Sequence, residues 1–125
     1  YNWGGFKHFM VEATTPIPAG DHQVRMEFDY AGPGLGKGGK VTLYTDGKQV
    51  GEGNIEATLA NVFSADDGCD VGEDTGAPVS PDYGPHGNAF NGRVKGVQLA
   101  IAEDAEAVDH LVDPEEAIRV ALARQ

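Results

Sequence analysis

The sequence predicts an all-β fold, an antiparallel β-sandwich carrying a short C-terminal α-helix. Three observations predict it: apolar and polar residues alternate over His22–Tyr30, an Asp46-Gly47 pair separates two further strand-like runs, and helical punctuation starts only at Asp113. The 125 residues suit one domain, and 18 glycines with 7 prolines make it turn-rich. A hydrophobic share of 40% argues against a disordered chain.

The elements follow in order. Phe6–Ala13 alternates loosely through Phe6, Phe9, Met10 and Val11 and reads as a strand; Pro16 and Pro18 end it, because proline cannot donate to a ladder. In His22–Tyr30, Val24, Met26, Phe28 and Tyr30 fall on one face and Gln23, Arg25, Glu27 and Asp29 on the other, the mark of a half-buried antiparallel strand. Gly32–Gly39 reads as a glycine-rich connection and Lys40–Thr45 as a strand. Asp46-Gly47 then makes a type I′ hairpin, since such a turn needs positive φ at both central residues, and Lys48–Glu52 returns as the partner. Further strands are expected over Ile55–Val62 and Gly92–Ile101, with residues 64–88 a long polar loop between them. At the C-terminus Asp113 is an N-cap, Pro114 suits the first helical position and Glu116 completes a capping box. The expected helix spans residues 114–124, giving a sandwich domain over 1–104 and a helical appendage over 105–125.

Charge narrows the partners. Twenty acidic against nine basic residues give a net charge of −11, which repels phosphates and so excludes nucleic acid and anionic membranes. No apolar run approaches the roughly 18 residues of a membrane-spanning helix. Tyr1-Asn2-Trp3 shows neither an initiator Met nor a signal region, so the chain reads as a piece of something longer and its compartment is left open. Cys69 is the only cysteine, which rules out an intramolecular disulfide. It lies among acidic residues, surroundings that disfavour a thiolate nucleophile.

Two motifs attract attention. Gly34-Leu35-Gly36-Lys37-Gly38-Gly39 fits a phosphate-cradling G-x-G-x-x-G pattern, but such loops must open a helix, and Lys40-Val41-Thr42-Leu43-Tyr44 is a β pattern. Nucleotide binding is rejected. Asp66, Asp67, Asp70, Glu73, Asp74 and Asp82 crowd a glycine-rich stretch, and calcium takes six to eight oxygens. Asp66, Asp67, Asp70 and Asp74 are the candidate calcium ligands, set against a plain solvated loop whose aspartates cap its own turns. His8, His22, His86 and His110 lack zinc-pair spacing. Trp3, Phe6, Tyr30, Tyr44 and Tyr83 could stack on sugar rings, although core packing also uses such residues.

Six blocks occur in the order of a known family. They are Ile17–Phe28, Gly34–Gly39, Thr42–Lys48, Phe63–Asp67, Asp74–Ser80 and Phe90–Gly92. Over nearly the whole chain the sequence resembles the C-terminal region of the long bacterial arylsulfatases. The resemblance implies a concanavalin-type, laminin-G-like or jelly-roll-like sandwich whose first strands precede Tyr1, leaving it incomplete at the N-terminus. It also implies a neighbouring catalytic sulfatase domain as partner. The family's chemistry does not transfer: its C-x-P-x-R motif would require proline where Val71 stands and arginine where Glu73 stands. The expectation is a non-catalytic accessory domain, with no catalytic residue and no cofactor beyond the candidate calcium, serving packing, oligomerisation or substrate-side recognition. The alternative is an independent lectin-like, glycan-binding module. Exposed sheet edges make a homo-oligomer a further expected partner.

Overall fold

The computed structural model describes residues 1–60 and 68–101. Among them the fold is all-β, with two antiparallel sheets and no helix. Strands β1 (Asn2–Trp3) and β2 (Lys7–His8) form a small hairpin, while β3 (Val24–Tyr30), β4 (Lys37–Thr45) and β5 (Lys48–Ala57) form a sheet in the order β3-β4-β5. The expected helix over 114–124, and the appendage that contains it, lie outside the described residues.

The Asp46-Gly47 turn forms as expected. Asp46 has φ 50° and Gly47 φ 76°, the pair of left-handed residues a type I′ turn requires. The same aspartate reaches the third strand. Its N–H donates to the Gln23 carbonyl at 2.9 Å, its Oδ1 accepts from the Gln23 N–H at 2.9 Å, and its Oδ2 meets His22 Nδ1 at 2.7 Å. Register then follows, with Met26 opposite Leu43, Phe28 opposite Val41, and Val41 opposite Gly53. A bulge at Leu43/Tyr44 shifts the β4–β5 pairing so that Tyr44 faces Gln49.

Several boundaries differ from the sequence reading. The segment expected as a strand over Phe6–Ala13 is strand only at Lys7–His8. Beyond Phe9 it crosses β5 instead of pairing along it: a Cβ on Gly53 would stand 2.7 Å from Val11 Cγ2, and one on Gly51 would stand 2.5 Å from the Glu12 carbonyl oxygen. The third strand starts at Val24, because His22 and Gln23 are committed to Asp46. Strand β4 begins at Lys37 and absorbs Gly38 and Gly39, and Ile55–Ala57 extends β5 rather than opening a new strand. Gly92–Ile101 is not a strand; its alternation finds no ladder partner among the described residues, and Leu99 is 83% exposed.

The alternation of β3 is real, but exposure runs opposite to expectation. Val24 (60% exposed) and Met26 (65%) stand on the open side, with Phe28 and Tyr30 also exposed, whereas Arg25 and Glu27 are partly covered. Tyr44 explains the cover: the Arg25 guanidinium lies 4.1 Å from its ring centroid, its hydroxyl donates to Glu27 Oε2 at 3.0 Å, and Arg25 pairs with Glu27 Oε1 at 3.1 Å. The buried apolar core of the described residues is Phe9 and Val41. Phe9 is held by the N-terminal hairpin, where it stacks on Tyr1 and exchanges backbone hydrogen bonds with it at 2.8 and 2.9 Å.

Two tests follow from this architecture. The Asp46 carboxylate, hydrogen-bonded to His22, holds that imidazole protonated above its ordinary 6.5. The Gln23 N–H, and then His22, hold the Asp46 carboxyl below 3.8. A raised imidazole value stabilises fully below about 6.5 and fades as pH rises through the folded value; a lowered carboxyl value stabilises above about 3.8 and fades as pH falls. The stability gap between wild type and His22→Gln, read from denaturation midpoints, is therefore widest between those limits and narrows as pH rises past 6.5 through the raised folded value. Separately, a Cβ on Gly38 would strike the backbone of Ile55 and Glu56. Gly38→Ala is expected to cost about 1–3 kcal/mol in urea unfolding.

Candidate functional site

The loop after Gly68 is held by its own polar side chains. Asn88 acts as a substitute strand: its Oδ1 accepts from the Asp74 N–H at 2.9 Å, and its Nδ2 donates to the carbonyls of Asp74 at 2.9 Å and Gly84 at 3.0 Å. Buried and half-buried backbone groups need such partners, and an amide side chain supplies a donor and an acceptor together. Asp70 turns the chain by accepting from both the N–H and the hydroxyl of Thr75 through Oδ2, at 2.7 and 2.8 Å. Ser80 and Asp82 close a second small turn. The Phe90 N–H donates to the Gly72 carbonyl at 2.6 Å, and Asn2 Nδ2 donates to the Pro78 carbonyl at 3.2 Å, which ties the loop to β1.

These bonds shape a cleft of about 300 Å3 lined by Gly68, Asp70, Glu73, Asp74, Ala77, Val79 and Tyr83. Asp74 sits at its centre of bonding. Its Oδ2 accepts from the Tyr83 hydroxyl at 2.6 Å and from the Val79 N–H at 3.3 Å. The hydrogen bond to the Asp74 carboxylate, with some desolvation, holds the Tyr83 phenol above its ordinary range. The Thr75 bonds hold the Asp70 carboxyl below the usual carboxylate range. The cleft thus presents three carboxylates, Asp70, Glu73 and Asp74, and the Tyr83 phenol to a ligand bearing hydroxyls or positive charge.

Of the four expected calcium ligands, Asp70 and Asp74 line this one cleft, while Asp66 and Asp67 lie outside the described residues. Among the described residues no three His, Cys, Asp or Glu side chains gather closely enough to hold an ion. One oxygen of Asp70 and one of Asp74 accept hydrogen bonds that hold the loop. Cys69 is exposed. His22 pairs with Asp46 on the main sheet. Sequence reasoning missed Asn88, whose three bonds organise the loop; a single asparagine in a polar stretch carries no spacing signal. It named Tyr83 only as an aromatic surface, and the structure uses its hydroxyl.

No family model, no curated protein and no solved structure matches the chain.

The Asp74–Tyr83 bond has a direct readout. In Asp74→Asn the phenol loses its carboxylate acceptor, so its titration, followed by tyrosine absorbance or NMR, should fall back toward 10.0. An unchanged titration would remove Asp74 from the site as drawn.

Proposed function

We propose that this chain is a non-catalytic accessory domain of an arylsulfatase-like hydrolase, a sandwich module that packs beside a catalytic domain. The reading draws on the ordered blocks that resemble the C-terminal region of that family. One structural observation carries it: Val24, Met26, Phe28 and Tyr30 form an exposed apolar stripe on a well-paired sheet. Contiguous apolar surface of this kind marks a place where another protein surface packs. The opposite face is already satisfied by the Arg25, Glu27 and Tyr44 cluster and by the Lys40–Glu52 pair at 2.9 Å, so the demand for a partner is one-sided.

The cleft supports a second reading, a lectin-like module. Carboxylates with a neighbouring tyrosine suit sugar hydroxyls and an aromatic-faced ring, and a calcium shared by Asp70 and Asp74 would belong to the same reading.

The purified chain separates the readings. Incubated with an aryl sulfate it should show no turnover above buffer; turnover would overturn the accessory role. Titration with sulfated and neutral oligosaccharides should give no saturable heat, and saturation would favour the lectin-like alternative. Millimolar calcium that leaves both the heat of mixing and the melting temperature unchanged would remove the ion from that alternative.

A further inference from the structure

We propose that β3 is a self-association edge: two copies of this chain join β3 to β3, antiparallel, about a twofold axis at Met26, to make one six-stranded sheet. This deepens the oligomerisation role within the accessory-domain reading and rests on that role. It is tested by assembly rather than by turnover, so the two can fail separately.

The backbone states which groups face outward. The Ala31 N–H donates to the Gly38 carbonyl and the Gln23 carbonyl accepts from Asp46, so the odd-numbered residues of this strand spend their hydrogen bonds on β4. In an antiparallel ladder the bonding alternates residue by residue. The N–H and C=O groups of Val24, Met26, Phe28 and Tyr30 therefore point to the free side. Among the described residues no backbone group pairs with them. Such an edge is a template for another strand unless charge, proline or a bulge blocks it, and β3 carries neither proline nor bulge.

Charge selects both the partner and the register. Only pairings that match even residues with even residues can bond, which leaves three compact choices. Centring on Phe28 sets Glu27 opposite Asp29 twice, and centring on Glu27 sets that residue opposite its own copy. Centring on Met26 sets Arg25 opposite Glu27 twice, with Val24 opposite Phe28 on the other face and no like charges facing. Opposite charges directly across strands stabilise, and like charges there destabilise. The strand Val24-Arg25-Met26-Glu27-Phe28 is thus complementary to itself. Tyr44 holds Arg25 and Glu27 partly ordered on that face, which lowers the entropy lost on pairing. The eleven net negative charges on each copy oppose the approach at long range, so assembly should strengthen as salt rises from about 0.01 M, where screening is weak, to about 0.15 M.

Sedimentation of the full chain at tens of micromolar in 0.15 M salt should give twice the monomer mass. R25E alone and E27R alone each place like charges opposite one another at both positions and should sediment as monomers. Mixed in equal amounts, they place every charge opposite its complement and should recover the dimer. Failure of the mixture to associate, or a monomeric wild type, overturns the proposal. The register has its own test in a Cys69→Ser background. Paired Met26 α-carbons should lie about 5.5 Å apart, within disulfide reach, so M26C should cross-link rapidly under mild oxidation. Faster cross-linking by E27C overturns the register.

Discussion

Asp46 joins all three strands of the main sheet. Its left-handed backbone makes the β4–β5 turn, its N–H and Oδ1 bracket the backbone of Gln23, and its Oδ2 takes His22. Asparagine could adopt the same φ, but only a carboxylate also pairs with a protonated imidazole. The register of β3 against β4 is anchored at this end, and a slip by one residue would carry the apolar set to the opposite face. The exposed apolar stripe and the ordered polar cluster both inherit their sides from this anchor.

Close approach is the second constraint. Gly51 and Gly53 let residues 11–13 lie directly on β5, and Gly39 lets the Phe28 ring settle against β4. Val41, 3% exposed, is flanked in register by Phe28 and by Gly53, over which Val11 lies. Among the described residues this cover lies on β5 and not on β3. Among them the sheet is therefore packed on the β5 side and open on the β3 side.

The loop carrying Asp70, Asp74 and Tyr83 follows a different logic. It contains no strand, and its shape comes from side chains that stand in for backbone partners: Asn88 for Asp74 and Gly84, Asp70 for Thr75. A carboxylate used to brace its own loop is less free to serve a ligand, so the cleft is organised before it is functional. Fixed polar groups on a rigid loop are also what a recognition surface needs.

The sequence by itself determined the all-β character, the I′ turn at Asp46-Gly47, and the two-sided pattern of β3, because each is set by local backbone sterics or by side-chain period. It also placed Asp70 and Asp74 in one acidic stretch. Tertiary structure decided the rest. Gly38 and Gly39 look like linker residues until a neighbouring backbone is seen to need the space of a side chain, and Val97, Leu99 and Ile101 alternate like a strand yet have no described strand beside them. Which face of β3 is covered was not legible either, since Tyr44 shelters Arg25 and Glu27 from the next strand. Period fixes which side chains share a face; only the neighbours that arrive from elsewhere in the chain fix which face is buried.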